Sequence, residues 1–212
     1  MNPPADDAAS NPSVRFFDAQ FRSQAANEHR ALNPFEQRAL PHLHGQVLDW
    51  GCGLGNLSLA AAERGCRVLA LDASPAVIDS LRQLAQARDL PIDAQRADLR
   101  DHQPQADAFD AVVAIGLLMF FDCATARRQL ARLLAAVRAG GIAVVNVLVE
   151  GTSYMDMFDP AQHCLFGVDE LPQAFAGWQM LQAAVEDFDA PRGLRKRFCT
   201  VIARRPATTP AA

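Results

Sequence analysis

Gly51, Gly53 and Gly55 occupy alternate positions in the stretch Leu48-Asp49-Trp50-Gly51-Cys52-Gly53-Leu54-Gly55-Asn56. Glycines spaced this way behind an apolar run let backbone N–H groups press against a ligand, because no Cβ holds it off. Two carboxylates bracket them. Asp49 precedes the loop, and Asp72 follows Gly51 by 21 residues at the end of the next apolar run. A carboxylate at that spacing can accept hydrogen bonds from both hydroxyls of a ribose. The implied chemistry is the binding of a nucleoside-like ligand.

Two details separate the possible ligands. The order is G-C-G-L-G-N, with Asn56 where a dinucleotide fingerprint places its third small residue. Asp49 would repel a pyrophosphate but attract the cationic amino-acid end of S-adenosylmethionine. The phosphate loop GxxxxGK[ST] is absent, which removes the main support for ATP hydrolysis.

The elements that must hold these residues alternate along the chain. QVLDW, RVLALD, PIDAQRAD, FDAVVAIG and IAVVNVLV read as five strands, the last almost wholly apolar as a doubly covered parallel strand should be. Between them lie helical patterns. Asn33-Pro34-Phe35-Glu36 starts one with a box-like spacing, NLSLAAAERG forms another, Ser74-Pro75 caps a third, and a long one from about Asp122 should stop at Gly140-Gly141. A short amphipathic helix is expected over 14–25, where Phe17 and Phe21 stand four apart. After a loop and the short helix VDELPQAF come GWQMLQAAVEDF and LRKRFCTVIARR, separated by five residues. Strands joined so tightly must pair antiparallel. The expected fold class is α/β: a Rossmann-like sheet of seven strands ending in an antiparallel hairpin, with helices on both faces. The expected organisation is a tail over 1–12, one domain over 13–205 with a helical cap over 13–44, and a tail over 206–212.

With 212 residues and a formal charge of −4, the chain fits one globular domain and argues against a nucleic-acid partner. Its amino terminus has no signal-peptide pattern, and no apolar run is long enough to span a bilayer. Cys52, Cys66, Cys123, Cys164 and Cys199 form no CxxC pair and no zinc-like cluster. The odd count without a disulfide framework points to the reduced cytoplasm, and no metal is expected.

LDWGCGLGN followed by LALDASPAVI resembles the first two motifs of class I S-adenosylmethionine-dependent methyltransferases. The resemblance covers about residues 45–205. It implies S-adenosylmethionine as cofactor, S-adenosylhomocysteine as product, and a cofactor site of Asp49, Gly51, Cys52, Gly53, Gly55, Asn56 and Leu57, with Asp72 on the ribose. It further implies Asp98 and Leu99 beside adenine with Ala73 flanking it, and Ile115 or Gly116 facing the methyl donor. A second resemblance is closer. Leu118-Met119-Phe120, Gly177-Trp178 and Arg197-Phe198 are similar to segments of the tellurite-resistance, TehB-like methyltransferases. That group implies a soft chalcogen or thiol acceptor and cationic side chains from the last hairpin, here Arg192 and Arg197. The hairpin loop DFDAPRGLRK, however, has no histidine where that group is expected to carry a His-Arg pair.

In-line displacement at a sulfonium methyl asks for alignment and dryness, and for a base only if the acceptor carries a proton. The long connection over 150–167 has the length of a binding loop. Its Tyr154, Met155, Met157, Phe158 and Phe166 would offer a soft inner face, with His163 as the candidate base. Met119 and Phe120 would line the pocket from the fourth strand, and Phe16, Phe17 and Phe21 from the amino-terminal side. Arg22 would reach the cofactor carboxylate. Small-molecule O- or N-methylation is the alternative acceptor chemistry, and a non-catalytic S-adenosylmethionine sensor or partner subunit the alternative class. The expected partner is a small-molecule acceptor, with no nucleic acid and no membrane, and the chain a monomer or homodimer.

Overall fold

The computed structural model describes residues 31–160 and 162–207. The helix expected over 14–25, with Phe16, Phe17, Phe21 and Arg22, lies outside the described residues, as do the 1–12 tail and most of the carboxyl-terminal one. Helix α1 (Pro34–Ala39) opens the described chain. Asn33 Oδ1 accepts from the Phe35 and Glu36 amides at 2.9 and 3.0 Å, and the Glu36 carboxylate accepts from the Asn33 N–H at 2.8 Å. This reciprocal box and Pro34 fix the helix start despite its short length.

Strand β1 (Gln46–Trp50) is followed by α2 (Asn56–Glu63), β2 (Arg67–Asp72), α3 (Pro75–Ala87), β3 (Ile92–Arg96) and β4 (Phe109–Ile115). Then come α4 (Cys123–Ala136), β5 (Val137–Leu148), α5 (Glu170–Ala174), β6 (Gln179–Ala190) and β7 (Leu194–Arg204). The sheet order is β3-β2-β1-β4-β5-β7-β6. All pairings up to β5 are parallel, whereas β7 runs antiparallel to both β5 and β6. This is the expected seven-stranded architecture. Chain order reverses direction between β1 and β4, so the crevice beyond their carboxyl ends is the natural ligand position.

Two cores flank the sheet. One face holds Val47, Val68, Ala111, Val113, Val144 and Ile202 against α2 and α3. The other holds Leu48, Trp50, Leu71, Val112, Val145 and Val201 against α4 and α5. Strand alternation therefore assigns every polar side chain near the carboxyl ends to one face or the other. Asp49 shares the first face with Val47, and Phe198 shares it with Ile202.

Two expectations are corrected here. Helix α4 ends at Ala136, four residues before Gly140-Gly141, because the β5 pairing already begins at Val137 opposite Phe109. The cysteines are not all free. Cys123 and Cys164 are joined in a disulfide, 41 residues apart in sequence with their Cα atoms at 4.7 Å. No sequence spacing announces such a pair, because tertiary packing alone brings it within bonding reach.

Candidate active site

The turn after β1 is built for close approach. Gly51, Gly53 and Gly55 all have positive φ, at 80°, 52° and 73°. A Cβ on Gly55 would stand 2.6 Å from the Leu81 side chain, so glycine is required there on two counts. The amides of Gly51 and Cys52 donate to the Leu71 carbonyl at 2.8 and 3.0 Å, tying the loop to β2.

Asp72 completes that tie. Its two carboxylate oxygens accept from the Gly53 and Ser74 amides at 3.0 and 2.9 Å. A carboxylate oxygen can accept from more than one donor, so this anchoring is compatible with binding a diol. Ala73 follows, half-buried.

Asp49 is almost fully buried at the end of β1, where Ser58 Oγ of α2 donates to it at 2.6 Å. Burial pushes its carboxyl up to about 7, the Ser58 hydrogen bond opposes this, and the nearby Glu36 and Asp72 carboxylates add to it. Glu36 is itself raised by burial. Asn56 Oδ1 is buried with no hydrogen-bond partner among the described residues. A buried acceptor without a donor is costly unless a ligand supplies one. Three carboxyl groups and an orphan carbonyl around a glycine loop form a site for a cation with N–H or O–H donors. Cys52 beside them is inert, its thiol driven well up by burial and the two neighbouring aspartates.

Other expected cofactor contacts divide. Asp98 is half-exposed and held by Arg100 at 2.6 Å, and that hydrogen bond draws its carboxyl below the ordinary value. Any adenine amino group there shares the carboxylate with a guanidinium. Leu99 and Leu57 are buried in the two cores, so only their main chains remain for a ligand. Ile115 and Gly116 sit half-buried past β4, and the Gly116 amide donates to the Asn146 carbonyl at 3.0 Å.

Beyond them the acceptor side takes shape. Met119, Phe120, Leu148 and Phe158 form one small cluster with Met155, Met157, Leu165 and Phe198 packed against it. The Phe120 and Phe158 rings lie 5.0 Å apart, and His163 stacks on Phe158 at 5.4 Å. Its Nδ1 lies 3.2 Å from the Asp159 carbonyl; the tautomer with the proton on Nδ1 donates to it and leaves Nε2 as the basic nitrogen. Helix α1 roofs this face. Phe35 packs on Phe188 and Phe198 at 5.4 and 4.9 Å, while Arg38 pairs with Glu186 at 2.6 Å. One short helix thus touches the acceptor side through Phe35 and acts electrostatically on Asp49 through Glu36.

Three expected side chains are placed elsewhere. Phe166 is fully buried in the opposite core, so it is not a pocket residue. Arg197 points to the face opposite Phe198 by strand alternation, pairs with Asp187 at 2.9 Å and lies against Gly151. Arg192 sits exposed at the hairpin tip, where it pairs with Asp156 of the 150–167 loop. The hairpin cation that shares the Phe198 face is Lys196, whose Nζ lies 4.8 Å from the centre of the Tyr154 ring. Burial lowers its affinity for a proton. The alternation Lys196-Arg197-Phe198 carried this information, because a residue two before a pocket phenylalanine in a strand shares its side. Ser58 and Glu36 had no comparable signal.

Residues 47–141 match the sequence profile of a family described as methyltransferase domain. The match covers a little under half of the chain, which over this stretch is similar to a methyltransferase domain. S-adenosylmethionine is the cofactor of that family, and a glycine-loop site suited to a cation and a diol fits it. The chain is 29% identical over 188 residues to Hemagglutinin 1 of Eikenella corrodens, a match spanning 84% of this chain and 59% of that protein. The chain spans 59%, 44% and 46% of the first three curated relatives it matches. Among solved structures, TehB from Haemophilus influenzae superposes with a TM-score of 0.70 at 19% identity, over 82% of this chain and 63% of that one. The 1,6-didemethyltoxoflavin-N1-methyltransferase of Burkholderia thailandensis, with S-adenosylhomocysteine bound, gives 0.66 at 20% identity over 97% and 92%. At these identities the two structures establish a shared fold.

Proposed function

We propose that this domain transfers a methyl group from S-adenosylmethionine to a small molecule, and that the preferred acceptor is a soft, anionic nucleophile of the chalcogen or thiol class. The carrying observation is the composition of the face next to the cofactor site. Met119, Phe120, Met155, Met157, Phe158 and Phe198 supply sulfur and ring surface, and the half-buried Lys196 shares the side of Phe198 without a carboxylate partner among the described residues. Polarizable groups favour a large, easily desolvated nucleophile, and a lysine in low dielectric favours a negative one.

The residues divide the work. Asp49 and Asn56 hold the amino-acid end of the cofactor, the glycine loop lets it approach the backbone, Asp72 holds the ribose, and S-adenosylmethionine supplies an activated methyl on sulfur. The Met119–Phe158 cluster excludes water and leaves the acceptor one direction of approach, in line with the breaking bond. Lys196 holds the acceptor in its ionised form, so a thiolate or oxyanion needs no base. For an acceptor that must lose a proton, His163, stacked on Phe158, is the candidate base. Arg197 takes no part in this scheme. The similarity to TehB supports the chalcogen class, and the similarity to an N-methyltransferase supports a nitrogen acceptor as the second choice. We place the protein in the cytoplasm; among the described residues no helix is long and apolar enough to cross a membrane.

The test is S-adenosylhomocysteine release with a matched panel of thiophenol, selenite, tellurite, phenol and aniline. Sulfur, selenium or tellurium acceptors should turn over at least tenfold faster than phenol. Faster phenol or aniline turnover would shift the assignment to O- or N-methylation. Tight cofactor binding with no turnover on any acceptor would leave a sensor.

A further inference from the structure

The disulfide joins the two halves of the proposed acceptor pocket. Cys123 is the first residue of α4, directly after the turn that carries Met119 and Phe120. Cys164 belongs to the returning limb of the 150–167 connection, next to His163. Its amide donates to the Met119 carbonyl at 3.0 Å, so the covalent bond and a hydrogen bond fix the same contact.

The connection is anchored very differently along its length. Its first limb rides on β7: the Val149 amide donates to Arg197, the Ser153 and Tyr154 amides to Arg195, and Thr152 and Ser153 hydroxyls accept from the Arg197 and Arg195 amides. Its return reaches the Phe166 amide, which donates to Leu148 at 3.1 Å. Between these points, among the described residues, the Cys164 amide and the exposed Arg192–Asp156 pair tie the stretch 155–165 to the rest of the fold. Met155, Met157, Phe158 and His163 all lie in that lightly tied stretch. An exposed ion pair holds little on its own.

We propose that Cys123–Cys164 is a reversible redox lock on the acceptor loop, resting on the methyltransferase reading above. Oxidised, it clamps Phe158 and His163 over Phe120. Reduced, the loop is released while the glycine-loop site, built from β1, β2 and α2, is unaffected. The reductant is a dithiol. Its thiolate attacks Cys123 Sγ, the partly exposed sulfur, since Cys164 is fully buried. A mixed disulfide forms at Cys123 and Cys164 leaves as a thiolate that takes up a proton. The second thiol of the reductant then attacks the mixed disulfide, releases Cys123 as a thiol and closes its own disulfide. Two electrons and two protons have passed to the protein. In a reducing compartment the disulfides that do form are of this transient, sensing kind.

The full chain would be oxidised with glutathione disulfide, mapped by peptide mass, and compared with the same protein after dithiothreitol treatment and anaerobic desalting. Amide hydrogen exchange and S-adenosylmethionine affinity are the readouts. The oxidised sample should yield the linked 123/164 peptide. Reduction should speed exchange across 155–165 at least tenfold, leave peptides from β1 and β2 unchanged, and alter the cofactor Kd by less than twofold. Cys123→Ser and Cys164→Ser should match the reduced wild type in either buffer. Failure to form the linked peptide, equal loop exchange in both states, or a redox response that persists in Cys123→Ser would overturn the lock. Absence of cofactor binding by the oxidised protein would overturn the methyltransferase reading instead, while the exchange comparison still decides the lock.

Discussion

Asp49 ties cofactor affinity to pH in a way that can be worked out in advance. Its ordinary carboxyl value is 3.8, and burial raises it to about 7 in the folded chain without ligand. Bringing the ammonium and sulfonium of S-adenosylmethionine against it must favour the ionised form. A cation at roughly 4 Å is worth about 4 kcal/mol at an effective dielectric of about 20. Only about 2 kcal/mol is needed to pull the bound-state value below about 5.5. Binding therefore releases a proton throughout the range between, and affinity rises with pH up to about 7. Linkage gives an affinity about 25-fold higher at about pH 7.5 than at about pH 5.5, with the slope of log affinity falling from near one toward zero across about 7. Isothermal titration calorimetry in buffers of different ionisation enthalpy measures both the slope and the released proton. Asp49→Asn keeps an acceptor for Ser58 Oγ but cannot ionise. It should flatten the profile to less than about threefold, and it should weaken binding at neutral pH about ten- to a hundredfold. A flat wild-type profile, or a slope that survives in Asp49→Asn, would refute the assignment of the buried carboxyl to the cationic end of the cofactor.

Four further outcomes follow from the same geometry. The raised Asp49 value also means that ligand-free protein is favoured by a protonated carboxyl; that contribution is complete below about pH 4 and lost as pH rises through about 7, up to about 4 kcal/mol. Thermal melts should show Asp49→Asn less sensitive than wild type over that window, and equal sensitivity would count against the burial argument. Asp72→Ala should raise the cofactor Kd at least tenfold while far-ultraviolet circular dichroism stays unchanged; an unaltered Kd removes the ribose assignment. Gly55→Ala places a Cβ in a left-handed backbone 2.6 Å from Leu81 and should cost about 2–4 kcal/mol by urea titration, with under 1 kcal/mol sinking the close-approach argument. Lys196→Met should raise KM for an anionic acceptor at least fivefold with the cofactor Kd unmoved, whereas Arg197→Met should lower Tm and leave KM alone.

The sheet was legible in the sequence because most of its parallel strands are short, largely apolar runs and several of its helices carry their own start signals. Asn33, Ser74 and Asp122 all accept amide hydrogen bonds at the helix starts where the pattern places them. The glycine loop was legible for a related reason, since it is a local device whose spacing in sequence equals its geometry in space. The missing parts are all non-local. Glu36 raises Asp49 from a helix that the chain order gives no reason to place there. Ser58 reaches Asp49 only because α2 turns back over β1. Cys123 and Cys164 stand on separate elements, and Phe166 differs from Phe158 only in which side of a loop faces the core. Gly140-Gly141 misled because strand pairing competed with the helix signal and won at Val137.

The choice between Arg197 and Lys196 shows how far local reasoning extends when one more fact is added. Basic residues at the end of a hairpin look interchangeable by composition. Once Phe198 is known to pack on Phe35, alternation alone sends Lys196 to the same face and Arg197 to the other. The two cations then take up different work. Arg197 is held by Asp187 through two hydrogen bonds, with Arg195 near the same carboxylate at 3.5 Å, so the Arg197 guanidinium is committed to the hairpin. Lys196 lies over an aromatic ring, half-desolvated, where its charge is available to an incoming anion. A cation–π contact of this kind is weaker than an ion pair, about 0.5–1 kcal/mol where exposed, so a ligand carboxylate, thiolate or selenite oxygen can displace it at small cost. An arginine locked in a bidentate pair cannot be recruited that way. On the proposed function, the acceptor's charge is therefore selected by Lys196, which pairs with no carboxylate among the described residues.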